Sequence, residues 1–257
     1  MDEYSGAAAA YSLRLLNSTY TGDAIVVRRD SDNATANIGF VGGELNTTYL
    51  NEFCNGANGF VTTWYDQSGN GDNLTQSTAA SQPKIYDSVT GIITENGKPA
   101  IYTDGTDDFL QSPILSLSNP NTQFVTLKTL ATFGHIGGIY NGVSSAGTML
   151  PLSSSVRIYQ QGSQFTPTFA HNNNQFLATI KTSTIGTDWA IFGNSVEITN
   201  SGEDIGSTVG NQISLGTRNL QSNYTQNYFQ EYILYNSDKT IDRAGIETNI
   251  NDFYSIY

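Results

Sequence analysis

Any chemistry in this chain would come from its carboxylates, side-chain amides and tyrosines. The run Asp66-Gln67-Ser68-Gly69-Asn70-Gly71-Asp72 sets oxygen-bearing side chains at alternate positions: Asp66, Ser68, Asn70 and Asp72. Alternating oxygens suit calcium, which takes roughly six to eight oxygen ligands. The same residues suit a corner turn, where Asp and Asn bond the local backbone and Gly adopts positive φ. Asp104, Asp107 and Asp108 form a second acidic group beside Gly105. Such close carboxyls repel one another unless a cation or hydrogen-bond donors intervene. There too, a turn entering a strand and a calcium site are the two readings. No other cofactor is called for.

Other catalytic chemistries have little to work with. His135 and His171 are the only histidines, and no His-x-x-x-His pair or nucleophile elbow accompanies them. Zinc catalysis and a Ser-His-Asp triad are therefore not expected. The single cysteine, Cys54, excludes an intrachain disulfide and reads as a buried thiol.

Sugar recognition combines aromatic faces with amide hydrogen bonds, and the chain has 15 Tyr, 12 Phe and 2 Trp. Tyrosine offers an apolar ring with a polar tip. Three candidates sit in loop-like contexts: Tyr140 in Gly-Ile-Tyr-Asn-Gly, Tyr159 before Gln160-Gln161-Gly162, and Tyr224 in Ser-Asn-Tyr-Thr-Gln. The polar run from His171 to Gln175 adds His171 and Asn173 as ligand-binding candidates, with a hairpin turn as the plainer reading.

The elements that must hold these residues read as β. Ala24–Arg29 and Phe60–Tyr65 are β-branched or aromatic runs closed by turn residues. Further strands are expected at 83–86, 100–103, 109–111, 124–133, 148–151, 156–160, 165–170, 176–182, 189–192, 196–199, 213–217 and 228–235. Trp64 is expected between the sheets. Three segments read as helix: Ala7–Leu16 from its alanines, Asn46–Cys54, and Thr240–Tyr254 from apolar residues at helical spacing. Many short strands with regular turn signals point to an all-β sandwich of one domain spanning 1–257.

Composition narrows the partners. Charged residues make up 13% of the chain, and the net charge is −12 with a pI near 4.3. A net-acidic chain without a basic run is a poor match for nucleic acid. No apolar stretch is long enough to span a membrane as a helix. The first residues lack the basic and apolar regions of an export signal.

Several runs carry a family resemblance. They are Ala10–Leu16 with Ala24–Arg29; Gly59–Gln76, which includes Tyr65-Asp66-Gln67-Ser68-Gly69-Asn70-Gly71; and Asn96–Ala100 with Asp104–Leu110. The chain resembles the catalytic domain of the α-L-arabinofuranosidase B family. It also looks like laminin-G-like modules of bacteriophage and marine bacterial proteins. The match covers roughly residues 8–112 and returns more weakly at Ile213–Tyr257. The resemblance implies a concanavalin A-like jelly-roll sandwich of two antiparallel sheets with short terminal helices.

It also implies a test of activity. Arabinofuranosidases of this family place a nucleophilic carboxylate in mid-domain, an acid late in the domain, and a vicinal cysteine pair at the site. Here residues 109–187 hold no Asp or Glu, Arg218 and Asn219 stand near the late position, and Cys54 is alone. No catalytic residue is carried over. The leading expectation is thus a non-catalytic, lectin-like module on a virion or extracellular surface. Its partners would be polysaccharide and other virion or surface proteins, with homo-oligomers open. A structural virion or filament subunit is the first alternative. A glycoside hydrolase of arabinofuranosidase type, using other carboxylates such as Asp104, Asp188 or Glu231, is the second.

Overall fold

A computed structural model describes the chain except residues 1, 133, 142–143, 153–154, 161–162, 186–187, 199–208 and 218–222. The described residues form a β-sandwich of antiparallel strands with two α-helices among them, Thr47–Cys54 and Arg243–Tyr254.

The long strand Gln226–Tyr235 organises the first sheet. On one side it pairs with Thr122–Thr129 along its whole length. On the other it pairs end to end with two short strands, Ala7–Ser12 and Ile101–Asp104. Thr122–Thr129 continues the sheet outward through Phe176–Lys181 and Ala190–Gly193. The second sheet runs from Thr35–Ile38 through Ile25–Arg29, Gly59–Trp64, Leu74–Thr75 and Leu110–Gln111. It continues through Gln212–Leu215, Gly137–Asn141, Ser144–Leu152, Ser155–Gln160 and Ser163–Ala170. The strand Lys84–Asp87 pairs with both Gly59–Trp64 and Ile101–Asp104, and so joins the two sheets.

The alternation of side chains explains the layers. In Ile25–Arg29, Ile25 and Val27 are fully buried while their neighbours are half-buried, as a strand with one core face requires. Between the sheets Trp64 packs on Tyr11, and Tyr11 on Tyr232, with ring centroids 6.1 and 6.4 Å apart. Each such ring removes ~150–250 Å² from water and dominates the local packing energy. Cys54 lies in this core, and burial pushes its thiol up to about 11.

A smaller apolar cluster lies under the C-terminal helix, where Ile246, Ile250 and Tyr254 cover Ala10, Phe124 and Leu177. Beneath this helix, Arg14 meets Glu231 through Nε at 2.8 Å and Nη2 at 3.1 Å. Ser12 Oγ donates to the same carboxylate at 2.8 Å. Glu247 is also fully buried, and Thr179 Oγ1 and Ser195 Oγ donate to it at 2.7 and 2.8 Å.

Three expectations are corrected. Ala7–Leu16 is not a helix: Ala7–Ser12 is a strand, because pairing with Gln226–Tyr235 outweighs the helical preference of alanine. The expected strand 124–133 begins at Thr122 and ends at Thr129. The helix at 47–54 follows its reading, with the Asn46 side chain accepting from the Tyr49 N–H at 3.1 Å. The last helix begins at Arg243 rather than Thr240. Among the described residues, no helix is long and apolar enough to cross a membrane.

Candidate active site

The Asp66 loop is a structural corner. Asp66 Oδ1 accepts from the Ala10 N–H at 2.8 Å and the Ser68 N–H at 2.9 Å. Its Oδ2 accepts from Ser68 Oγ at 2.7 Å and the Asp72 N–H at 3.2 Å. Asn70 Nδ2 donates to the carbonyls of Ala7 and Ala8. Both Asp66 oxygens are thus committed to tying the loop to the first strand. Calcium at Asp66, Ser68, Asn70 and Asp72 would have to displace those bonds, and the turn reading describes the loop.

The five sugar candidates fall on different elements. Tyr140 is not in a loop: it lies in the strand Gly137–Asn141, buried, with its hydroxyl donating to the Thr217 carbonyl at 3.3 Å. The glycines before it mark a bulged strand, not a surface turn. His171 is buried too. Its Nδ1 accepts from the Asn173 N–H at 3.0 Å, its ring stacks on Phe176 at 5.1 Å, and desolvation lowers its pKa. Asn173 is exposed at positive φ, as a turn residue. The backbone of Tyr159 lies in Ser155–Gln160, and its side chain lies outside the described residues, as do Arg218 and Asn219. Tyr224 is half-buried against Phe109, with ring centroids 6.3 Å apart.

Of the three carboxylates weighed for hydrolysis, two are engaged elsewhere. Glu231 is consumed by Arg14 and Ser12 under the helix. Asp188 is an exposed partner of Lys181 at 3.1 Å. Asp104 belongs to the one carboxylate cluster found among the described residues. Oxygens of Asp104, Asp107 and Asp108 all lie within 4.8 Å of one another.

The local backbone builds this cluster. Ile101–Asp104 ends against Gln226, and Gly105 turns the chain at φ +81°, where a Cβ would come 3.2 Å from the Gln226 nitrogen. The Asp104 N–H then donates to Asp108 Oδ2 at 3.0 Å, and Ser81 Oγ donates to Asp107 Oδ2 at 3.1 Å. Asp104 Oδ1 accepts from the Thr106 N–H at 2.7 Å. Gly216 lies directly behind: a Cβ there would come 2.8 Å from the Asp108 carbonyl oxygen. Asp104 is exposed and Asp108 is buried. Burial, followed by the charge of Asp104, pushes the Asp108 carboxyl up to about 7.

The cluster lies in sequence between two concavities. Phe109, the next residue, lines an open cleft of about 480 Å³ with Asn73, Gln76, Gln111 and Ser112. Tyr102, two residues before Asp104, lines a groove of about 420 Å³ with Tyr228 and Lys84. The sequence shows the three aspartates as a turn or a cation site, and Asp104 alone of them as a carboxylate for hydrolysis. The signal missing from the sequence was burial, which raises the Asp108 carboxyl.

Residues 4–106 match the family described as alpha-L-arabinofuranosidase B, catalytic. The alpha-L-arabinofuranosidase B of Penicillium canescens is 42% identical over 71 residues, which is 27% of this chain and 15% of that protein. An α-L-arabinofuranosidase of glycoside hydrolase family 54, soaked with a cyclic sulfate inhibitor, superposes with a TM-score of 0.76. Its identity is 19%, over 95% of this chain and 62% of the other. An arabinofuranosidase complexed with arabinofuranosyl-alpha-1,2-xylobiose gives 0.71 at 20% identity, over 94% of this chain and 62% of the other. The chain therefore spans less than two thirds of each of these relatives. The solved structures show the sandwich fold.

The sequence relatives correct the functional expectation. They are glycoside hydrolases, and the matched stretch belongs to their catalytic domain. The reading as a non-catalytic lectin-like virion module, and with it the reading as no enzyme, is overturned on that ground.

Proposed function

We propose that the chain is a glycoside hydrolase of arabinofuranosidase type, cleaving terminal α-L-arabinofuranosyl groups from extracellular polysaccharide. The observation that carries this reading is the match of residues 4–106 to the arabinofuranosidase B catalytic family, a stretch that includes Asp104. Because residues 109–187 hold no carboxylate, the catalytic pair has to come from outside that span. The Asp104–Asp108 cluster supplies it.

Retaining glycosidases hold their two carboxyls ~5 Å apart, whereas inverting enzymes need a wider gap for water. One oxygen each of Asp104, Asp107 and Asp108 lies within 4.8 Å of the others, close enough for the first class. Asp108, raised to about 7, keeps a proton near neutrality, as a general acid requires. Exposed Asp104 is the nucleophile. Its oxygen bonds to the anomeric carbon as the glycosidic C–O bond breaks, and the Asp108 proton passes to the departing oxygen. Asp108 then takes a proton from water, whose oxygen attacks the anomeric carbon and releases Asp104.

The test is release of arabinose with retention of anomeric configuration, followed by NMR. Hydrolysis with inversion, or no release from any arabinofuranoside, overturns the assignment.

A further inference from the structure

The strand register sets four side chains in one row across the first sheet. Tyr102 is paired with Lys84 on one side and Tyr228 on the other, and Tyr228 is paired with Lys128. Lys84, Tyr102, Tyr228 and Lys128 therefore stand side by side at steps of ~4.8 Å, on a face away from the core. The two tyrosine rings lie 5.0 Å apart, tilted by 49°, and both are half-buried. Each lysine is held by a carboxylate. Lys84 Nζ meets Asp87 at 3.1 Å, and Lys128 Nζ meets Glu95 at 2.9 Å. Lys128 Nζ also lies 5.6 Å from the centre of the Tyr228 ring. Gln226 Nε2 donates to the Tyr102 hydroxyl at 2.6 Å.

Tyr102, Tyr228, Lys84 and Asp87 line the 420 Å³ groove. Sugar rings present apolar C–H faces and hydroxyl rims. A pair of aromatic faces with ion pairs at both ends meets both demands, since Tyr carries an apolar body and the flanking groups donate and accept. Lysines neutralised by their own carboxylates give the groove little net charge, so it fits a neutral chain better than an acidic one. Asp104 stands two residues from Tyr102 on the same strand face, about one sugar ring beyond the tyrosines.

We infer that the Tyr102–Tyr228 groove binds the neutral main chain of a branched polysaccharide, holding it while a side branch reaches Asp104 and Asp108. This deepens the hydrolase reading and rests on it for its purpose, but binding is measurable without turnover.

The experiment is calorimetric and NMR titration of the whole chain with xylohexaose, in the parent and in an Asp108→Asn background. The parent is expected to bind. Tyr102→Ala and Tyr228→Ala are each expected to weaken binding about tenfold, and Tyr228→Phe to retain it. Thermal melts confirm that each variant is folded. Absence of binding in the parent, or unchanged affinity in both folded alanine variants, overturns the groove. Binding without any arabinose release leaves the groove standing and removes the hydrolase. Release without xylohexaose binding does the reverse.

Discussion

The backbone N–H of Asp104 donates to Oδ2 of Asp108 at 3.0 Å, so an exposed carboxylate and a buried, proton-retaining one share a single turn. Burial first, and then the charge of Asp104, raises the Asp108 carboxyl, so that it holds the proton an acid role requires.

Substitution should separate the acid and nucleophile roles. A nitrophenolate leaves with little help from a proton, whereas a sugar alcohol does not. Asp108→Asn is therefore expected to cost about a hundred- to ten-thousand-fold on an arabinose-substituted oligosaccharide and much less on an aryl arabinofuranoside. Asp104→Asn should abolish turnover of both. Steady-state kinetics on the two substrates checks this.

The same carboxyl makes stability depend on pH. Unfolded Asp titrates near ~3.9, whereas Asp108 in the fold titrates at about 7. Between those values the folded chain holds a proton that the unfolded chain has released. Stability contributed by this group is therefore full below about pH 4, falls through the window and levels off above about 7. Asp108→Asn should match the parent near pH 4 and melt higher than it at pH 8. Thermal denaturation across that range reads the difference.

Arg14 and Glu231 tie the first strand region to the long central strand from beneath the C-terminal helix. Glu231 is fully buried, so removing its charge leaves Arg14 without its partner. Glu231→Gln is expected to destabilise the chain by about 3–5 kcal/mol in chemical denaturation. In folded protein at low temperature, aryl arabinofuranoside hydrolysis should persist.

Asp66 is predicted to matter for folding and not for metal. Asp66→Ala removes acceptors for four donors and should cost about 3 kcal/mol. The parent melting temperature should be the same in calcium and in chelator. A calcium-dependent rise that Asp66→Ala abolishes would restore the cation reading of this loop.

The sandwich was legible because β-branched runs such as Ile25–Val27, and Gly59–Trp64 with its closing turn, carry their own strand signals. What was hidden depended on partners distant in sequence. Ala7–Ala10 looked helical, yet its pairing partner Gln226–Tyr235 lies more than 200 positions away. Tyr140 looked exposed because glycines flank it, and only the fold shows that they make a bulge over a buried ring. The aspartates at 104–108 were visible as a cluster, but what distinguishes Asp108 is its burial, with Gly216 from a remote strand end close against its backbone carbonyl. The row from Lys84 to Lys128 could not be read without strand register, which composition and periodicity do not supply.

The most direct measurement is hydrolysis of 4-nitrophenyl α-L-arabinofuranoside by the parent chain and by Asp104→Asn. The account predicts sustained turnover by the parent and background rates for the variant, with both proteins folded by circular dichroism. Equal turnover in the two, or none in the folded parent, would contradict it.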